Sequence, residues 1–406
     1  MHNLTLSVPG QVFLLKYQRK LKNILLLTIL LSIVCNTSAQ IRFITGYQNA
    51  NVDTAVSVAN YSTNTICFSP HRDSLNTETV WYNFGITGFR TDTIITFLMN
   101  YNNIYYPPNY PVVSYNGKEY FNVKASQRNN INQFSVKPTH DTVFVSTGYP
   151  YTYNRLQKLI KSINGNKYFK IDSSFTTPKG NRLYLLTVTD HNTKSRTKKN
   201  VWIIARQHAF ESISNFVVEG MINYLLSDKV TDTDILSQYT FYIVPMVDID
   251  NVISGQSGRM SFPRDFNRDW NSPRHSEIET LEKWIKKSGK RRYDMFFDIH
   301  ATYPGGRTTN VFSYFDIHGG SIQSQNLNQF WQRFYNLTHY RPKTIDDTNV
   351  YQEGFSADYY NAKKYKRLQF ATTIECDWNV NSRGKVWQIA DYLNLGENII
   401  KAVPVK

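Results

Sequence analysis

The sequence predicts an α/β domain preceded by an all-β sandwich domain. From about residue 41 to residue 147, short β-branched or alternating runs are separated by Asn, Gly and Pro and show no helical periodicity, which is typical of a sandwich. From residue 149 onward, strand-like apolar runs alternate with helical patterns, which indicates a central sheet covered by helices on both faces. We therefore expect the sandwich over residues 40–148 and the α/β domain over residues 149–406.

The first 39 residues differ in character from the rest of the chain. Four basic residues between positions 16 and 22 precede the apolar run 24–34 and a short segment of small residues that ends at Ala39. This order resembles a secretory signal peptide, and the apolar run is too short to span a bilayer comfortably. We expect a signal peptide over residues 1–39, export to the periplasm or out of the cell, and no stable membrane span after cleavage.

The remaining elements follow from local patterns. Strand-like runs in the sandwich region are 80–86, 93–99, 134–137 and 142–147. In the α/β region, the apolar residues of segment 154–165 share one helical face and Gly165 can end that helix. The strands that follow are expected at 182–189, 201–205, 241–246, 295–299, 310–315 and 370–374, and further helices at 212–226, about 274–288, about 322–338 and after Lys385.

Charge and cysteine content restrict the partners. The chain of 406 residues has a formal net charge of +15, which favours anionic partners such as acidic peptides or an anionic envelope. The one dense basic cluster, 193–199, lies between two predicted strands and is best interpreted as a solvated hairpin, so no nucleic-acid partner is expected. Beyond the leader only Cys67 and Cys376 remain, far apart in sequence, which gives no disulfide framework.

Polar residues follow several strands of the α/β domain, where ligand sites of such sheets collect. The second strand leads to His208 and Glu211, the fourth to Asp298 and His300, and the sixth to Glu375. The segment after the third strand carries four further candidates, which are Arg259, Asp265, Asn267 and Arg268.

Two histidines and one carboxylate leave one position of a tetrahedral zinc ion open for water, as a catalytic site requires. A further carboxylate, Glu375, could take a proton from that water. Each residue alone could instead be an ordinary hydrogen-bonded or solvated side chain, but four strand ends with complementary groups make coincidence a poor explanation.

Four motifs then carry a family resemblance. They are His208-Ala-Phe-Glu211, the run DFNRDW at 265–270, Asp298-Ile-His300 and Ile374-Glu375. In this order they resemble the motif series of zinc metallocarboxypeptidases. Segments 81–101 and 141–160 are similar to the β domain and the start of the catalytic domain in the cytosolic-carboxypeptidase-like branch, so the chain is expected to be a secreted bacterial member. The resemblance implies a carboxypeptidase-like mixed central sheet flanked by helices.

The resemblance implies a metal site and its chemistry. His208, Glu211 and His300 match the ligands of one zinc ion per chain. Glu375 matches the general base that activates the zinc-bound water, and Arg259 matches the arginine that polarises the scissile carbonyl.

It also implies substrate contacts. Asn267 and Arg268 match the pair that binds the terminal carboxylate of the substrate, a role that suits a planar guanidinium and an amide donor. Asp265 matches a carboxylate that orients His208. Tyr351 is the choice for the mobile tyrosine of the family, with Tyr359 and Tyr360 as rivals.

The chain departs from the branch at two places. Ala209-Phe210 stands where the branch usually has Pro-Gly, and Ala301-Thr302 stands where it often continues with Gly-His. We expect an altered loop shape at the first place with zinc ligation intact, and altered subsites at the second.

The expected function is that of a secreted zinc-dependent metallocarboxypeptidase, which hydrolyses the C-terminal peptide bond of peptides or proteins by means of a zinc-bound water activated by Glu375. One alternative is a zinc amidase that acts on peptidoglycan stem peptides or N-acyl amino acids. The other is a non-catalytic protein that binds peptide or envelope polymer, although a pure binder needs neither Glu375 nor Arg259. Peptide or protein C-termini are the expected partners.

Overall fold

The structure of the chain is a computed structural model. It describes residues 40–72, 79–101, 107–194, 198–259, 261–288, 293–305, 312–315, 322–339, 343–346, 355–365, 367–378, 380 and 384–405, with backbone only for 231–233, 312–315 and 343–346. The predicted signal peptide lies outside these ranges. Within them, no helix combines the length and the apolar character that a bilayer crossing requires.

The N-terminal part consists of two β-sheets, each with five strands among the described residues. One sheet has the order β1-β4-β10-β6-β7 and the other the order β2-β3-β5-β9-β8. The strands are β1 (Arg42–Ile44), β2 (Val58–Asn60), β3 (Thr65–Phe68), β4 (Asn83–Thr87), β5 (Ile95–Asn100), β6 (Val112–Ser114), β7 (Phe121–Asn122), β8 (Ser126–Arg128), β9 (Ile131–Val136) and β10 (Thr142–Ser146).

The two sheets share one aromatic core. In β9, buried and exposed residues alternate along the whole strand, as expected for a strand with one face toward a core. Phe68 of β3 meets Phe84 of β4 edge to face, with 4.9 Å between ring centroids, and Phe97 stacks on Phe134 at 4.9 Å. Side chains from both sheets therefore form the core of a sandwich.

The C-terminal part is built on one mixed sheet with the order β11-β12-β14-β13-β15-β18-β16-β17 among the described strands. Its four central strands β14, β13, β15 and β18 are parallel, and β12 and β16 flank them antiparallel. The strands are β11 (Phe169–Thr176), β12 (Arg182–Val188), β13 (Lys199–Ala205), β14 (Tyr239–Val244), β15 (Met295–Ala301), β16 (Phe312–Phe315), β17 (Lys343–Asp346) and β18 (Phe370–Cys376).

Helices surround this sheet. They are α1 (Tyr153–Ile163), α2 (Ser212–Leu225), α3 (Ile235–Gln238), α4 (Ile249–Ser254), α5 (Ser276–Ser288), α6 (Ile322–Thr338), α7 (Ala357–Lys364) and α8 (Ile389–Lys401), with 3-10 turns at Asp228–Thr233 and Phe266–Arg268. The predicted fold class, a mixed α/β sheet with flanking helices after a β-rich region, is confirmed. The strands β11 and β17 and the short helices α3, α4 and α7 of this part were not expected from the sequence.

Helix α2 is buried along almost its whole length, and α8 packs directly against it. The two helices approach closely at two glycines. A Cβ atom added at Gly220 would lie 2.1 Å from the Leu393 carbonyl oxygen, and one added at Gly396 would lie 1.9 Å from the Val217 carbonyl oxygen. This contact fixes the helix that follows directly on Glu211.

Candidate metal centre

Three neighbouring parallel strands deliver the candidate ligands to one edge of the sheet. Strand β13 ends at Ala205, and the turn 206–211 after it carries His208 and Glu211. In β15 and β18, His300 and Glu375 are register partners. Because parallel strands end at the same edge, the sequence positions predicted from strand ends do come together here.

His208, Glu211 and His300 form a buried cluster whose candidate ligand atoms all lie within 4.8 Å of one another. The Nδ1 atom of His208 lies 2.7 Å from Glu211 Oε1, and the Nδ1 atom of His300 lies 2.9 Å from Glu211 Oε2. Both imidazoles thus turn the same nitrogen toward one carboxylate. Two nitrogens and a carboxylate that converge in a buried place fit the donor set of a zinc ion with an open fourth position.

The opposite nitrogen of each imidazole also faces a carboxylate. His208 Nε2 lies 3.0 Å from Asp265 Oδ1, and His300 Nε2 lies 3.0 Å from Asp298 Oδ2. Such contacts set the orientation and tautomer of metal-binding histidines. From the sequence, Asp298 is expected at a strand end but has no assigned role. Its position two residues before His300, on the same face of β15, is the signal that predicts its contact with that histidine.

Asp298 is itself held by a buried chain of hydrogen bonds. Gln207 donates from Nε2 to Asp298 Oδ2 at 2.6 Å, and Trp270 donates from Nε1 to Gln207 Oε1 at 2.9 Å. All three side chains are fully buried. The orientation of His300 therefore depends on residues from three separate segments.

Burial and neighbouring charges shift the pKa values of Glu211, His208 and Glu375. Burial alone would raise the pKa of Glu211, but the His300 and His208 imidazoles outweigh it and hold this pKa at about 2. Burial alone would lower the pKa of His208, and the carboxylates of Asp265 and Glu211 raise it above its ordinary value instead. The pKa of Glu375 is raised to about 7, first by burial and then by the charge of Glu211.

Glu375 and Arg259 lie beside the cluster. One oxygen of Glu375, Oε2, is buried and accepts no hydrogen bond from the described residues. Arg259 Nη1 lies 3.4 Å from His208 Nε2 and 3.7 Å from Asp265 Oδ2, and its side chain is partly exposed. A carboxylate and a guanidinium thus flank the place where the two imidazoles meet.

Asn267 and Arg268 occupy the same region. The Asn267 side chain accepts a hydrogen bond from the Ala357 backbone N–H at 2.9 Å, and its Nδ2 lies 3.3 Å from His300 Nε2. Arg268 donates to the Asn267 carbonyl oxygen at 2.8 Å and remains partly exposed. The buried Asn267 amide therefore lies against His300, and the Arg268 guanidinium lies next to it with part of its surface exposed.

The tyrosine predicted to be mobile, Tyr351, lies outside the described residues. Of its rivals, Tyr360 donates a hydrogen bond to Glu282 at 2.8 Å, and Tyr359 packs against Phe355 with ring centroids 4.9 Å apart.

The unusual pair Ala209-Phe210 forms its turn without a left-handed residue of its own. The positive φ of this turn, 63°, occurs at Arg206. The fully buried Arg206 donates from Nε to the Ala209 carbonyl oxygen at 2.7 Å and from Nη1 to Asn215 at 2.7 Å. No role was expected for Arg206, although a charged residue directly after a buried strand is a signal of one. Its guanidinium shapes the turn that carries the candidate ligands His208 and Glu211.

A further buried carboxylate, that of Asp248, lies near the turn but outside the cluster. Asp248 precedes α4, accepts a hydrogen bond from Asn251 Nδ2 at 2.9 Å and is almost inaccessible to solvent. Burial raises its pKa to about 7.

A buried cluster of two histidines and a glutamate at the carboxyl edge of parallel strands, beside a carboxylate and an arginine, defines the class of metal-dependent hydrolases. Comparison with known proteins specifies the family. Residues 164–380 match the zinc carboxypeptidase family, and residues 45–148 match the cytosolic carboxypeptidase N-terminal domain. The chain belongs to the zinc carboxypeptidase family, whose members are zinc-dependent exopeptidases, and the predicted resemblance is confirmed.

Curated relatives include cytosolic carboxypeptidase 1 of Mus musculus, 28% identical over 284 residues that make up 65% of this chain and 21% of the relative. Cytosolic carboxypeptidase 3 of Bos taurus is 28% identical over 193 residues, 45% of this chain and 19% of the relative. The chain spans about a fifth of the length of these relatives.

Solved structures share the fold over most of the chain. A metallo-carboxypeptidase from Burkholderia cenocepacia superposes with a TM-score of 0.78 and 22% identity, over 90% of this chain and 98% of that one. A metallo-carboxypeptidase from Pseudomonas aeruginosa gives 0.77 and 20%, over 90% and 98%.

The prediction of export, to the periplasm or out of the cell, is wrong. The N-terminal domain matches a cytosolic carboxypeptidase domain, and the curated relatives are cytosolic carboxypeptidases. An apolar run after a few basic residues is a short and common pattern, which explains how it can mislead.

Proposed function

We propose that this chain is a zinc-dependent metallocarboxypeptidase that hydrolyses the C-terminal peptide bond of peptides or proteins. The observation that carries the proposal is the buried convergence of His208 Nδ1, His300 Nδ1 and the Glu211 carboxylate, with Glu375 and Arg259 beside it. In this proposal His208, Glu211 and His300 hold one zinc ion.

The bound zinc would act as a Lewis acid on the scissile carbonyl and would lower the pKa of a water molecule. Glu375 takes the proton from the attacking water and delivers it to the departing amine. Its raised pKa, about 7, supports this role because a general base works best when its pKa lies near the working pH.

Arginine and amide side chains account for the preference for a chain end. Arg268 and Asn267 bind the terminal carboxylate of the substrate, and Arg259 polarises the scissile carbonyl. A planar guanidinium pairs with a carboxylate through two parallel hydrogen bonds, and only the last residue of a peptide carries a carboxylate on its backbone, next to the scissile bond. The Pseudomonas aeruginosa relative was solved with (2-guanidinoethylmercapto)succinic acid, a small carboxylic acid, which agrees with a carboxylate-binding site. Tyr351 is proposed as a further substrate contact.

The test is the release of C-terminal amino acids from a peptide library, measured together with zinc content. Glu375→Gln should keep its zinc and lose about a hundredfold or more in rate, because general-base catalysis contributes at least that much. Glu279→Gln, the same change at an exposed position of α5, is the matched control and should behave like the wild type. A wild-type protein that holds zinc but releases nothing would contradict the proposal.

A further inference from the structure

The N-terminal sandwich contacts the segment that leads to Arg259. Asn49 donates from its backbone N–H to the Ile253 carbonyl oxygen and from Nδ2 to the Val252 carbonyl oxygen, both at 3.0 Å. Asn51 donates from Nδ2 to the Gly255 carbonyl oxygen at 2.8 Å. The end of α4 and the turn after it are thus held by side chains of the other domain.

Ser257 is the central residue of this contact. Its hydroxyl oxygen accepts hydrogen bonds from the backbone N–H groups of Val80 at 2.8 Å and Trp81 at 3.3 Å, both in the sandwich domain. Its carbonyl oxygen accepts a hydrogen bond from the Phe210 N–H at 2.9 Å. Ser257 is 3% exposed. One buried residue therefore joins the sandwich to the turn between His208 and Glu211.

Two glycines allow the backbones to approach this closely. Gly255 has a φ of 74°, and a Cβ atom added there would lie 2.1 Å from the Ala50 carbonyl oxygen of the sandwich domain. Gly258 has a φ of 73°, and an added Cβ atom would lie 2.5 Å from the Ala209 backbone nitrogen. The segment 255–258 is therefore packed between the sandwich on one side and the ligand-bearing turn on the other.

We infer that Ser257 is a positioning residue through which the sandwich domain sets the geometry of the catalytic site. Arg259 lies two residues beyond Ser257. The carbonyl oxygen of Ser257 restrains the turn that carries His208 and Glu211. The sandwich is then part of the framework of the site. This inference rests on the proposed function, because it assigns Ser257 to the alignment of the same metal and substrate groups.

The physical basis is the sensitivity of such sites to small displacements. Without the Ser257 hydroxyl, the buried N–H groups of Val80 and Trp81 lose their partner, so the segment must shift or admit water. A displacement of about 1 Å in groups that align a substrate can lower a rate by roughly a hundredfold, and lost support of a ligand lowers metal affinity by about 10-fold to 100-fold.

The experiment compares Ser257→Ala with Asn122→Ala in the full chain. Asn122 also joins the two parts of the molecule, with Nδ2 3.2 Å from the Trp387 carbonyl oxygen and 2.7 Å from the Tyr149 hydroxyl, and neither of these partners lies in the segment 252–259. Zinc affinity is measured by competition with a chelator, and kcat and KM are measured on a peptide substrate, at a temperature where both variants are folded.

Ser257→Ala should lower kcat/KM about tenfold or more and weaken zinc binding several-fold, while Asn122→Ala stays within about twofold of the wild type in both. Equal values for the two variants would overturn the inference. If Ser257→Ala does not fold, Asn51→Ala, which removes the bond to the Gly255 carbonyl, should show the same loss relative to Asn122→Ala, and equality again overturns it.

Hydrogen exchange gives a readout that needs neither metal nor substrate. In Ser257→Ala, the Phe210 amide should exchange faster, whereas in Asn122→Ala it should exchange as in the wild type. Unchanged exchange in Ser257→Ala would contradict the inference. A wild-type protein that binds zinc but cleaves no peptide would refute the proposed function alone, because zinc affinity and exchange still test Ser257.

Discussion

The two imidazoles of the candidate metal centre are fixed from both ends. Each turns Nδ1 toward Glu211 and Nε2 toward an aspartate, Asp265 for His208 and Asp298 for His300. An imidazole held in this way cannot rotate about its Cβ–Cγ bond without losing both contacts. The carboxylates thus preorganise the nitrogen lone pairs that a metal ion needs.

Asp298→Asn should weaken zinc binding by about 10-fold to 100-fold, since a carboxylate behind a histidine ligand raises its basicity. Asp294→Asn is the matched control, because Asp294 is also buried but accepts a hydrogen bond from the Asn200 N–H at the opposite end of the strand. Chelator competition measures both variants. The same affinity in both would show that the carboxylate of Asp298 has no influence on the metal.

A second residue-scale prediction concerns Asp248 and pH. Its pKa is raised by burial to about 7 in the folded state, above the value of an unfolded chain, so the native state binds the proton more tightly. The stability that this proton contributes is present at acidic pH and is lost as the pH rises through about 7.

Asp248→Asn should therefore gain more stability over the wild type at pH 8.5 than at pH 5. With about 1.4 kcal/mol for each pKa unit, the two units between pH 5 and the folded-state pKa of about 7 make this difference about 3 kcal/mol. Urea unfolding at the two pH values measures it. A stability difference between variant and wild type that does not change with pH would refute the prediction.

Residues of the site were predictable to different degrees. His208, Glu211, His300 and Glu375 stand directly at the ends of apolar strands, so local sequence places them. Ser257 is different, because its hydrogen-bond partners are residues 80, 81 and 210. No local sequence pattern predicts contacts between such distant segments.

At the scale of elements, the close contact of α2 and α8 supports the turn that carries His208 and Glu211. Helix α2 begins at Ser212, directly after Glu211, and Gly220 and Gly396 let α8 lie against it. A shift of α2 would displace Glu211.

Gly220→Ala should destabilise the protein by about 1–3 kcal/mol, because an added methyl group would lie 2.1 Å from the Leu393 carbonyl oxygen. The direction of the stability change is informative, since Gly→Ala inside an isolated helix stabilises that helix by about 1 kcal/mol. Gly46→Ala is the control, where an added Cβ atom meets nothing within 4 Å. Chemical unfolding of both variants provides the measurement. A stabilised Gly220→Ala variant would show that the helices separate readily.

Elements were predictable where their burial produces a recognisable apolar pattern in the sequence. The central strands form uninterrupted apolar runs, and the predicted ranges 201–205 and 295–299 lie within the observed Lys199–Ala205 and Met295–Ala301. Strand β11 was missed because it is an edge strand, mostly accessible to solvent, and its sequence FKIDSSFT contains few apolar residues. Helix α4 spans only six residues, too few for a helical period to be recognised.

At the scale of the whole molecule, the proposed zinc ion should stabilise a protein whose hydrophobic core does not depend on it. The parallel strands and α2 are buried without any contribution from a metal, so the metal-free protein should fold. Ligand binding to the native state then raises stability by mass action, by about 2.7 kcal/mol at a free zinc concentration of 100 times Kd.

Removal of zinc with a chelator should therefore lower Tm by roughly 5 °C in the wild type. His208→Ala should show no such dependence, because it lacks one of the three proposed ligands. Glu375→Gln should respond like the wild type, since it keeps all three. Thermal unfolding with and without zinc distinguishes the three proteins, and an unchanged Tm in the wild type would contradict a native zinc site.

The pairing of α2 with α8 also bears on how the chain is synthesised. Helix α2 is apolar on nearly all sides, yet its covering helix, Ile389–Lys401, leaves the ribosome only after every strand of the central sheet. Until then a nascent chain presents an uncovered apolar helix next to the turn that carries His208 and Glu211, the kind of surface that chaperones bind and that promotes aggregation. Translation that stalls before residue 389 should therefore yield a chain that depends on chaperones, although all its proposed ligands have been made.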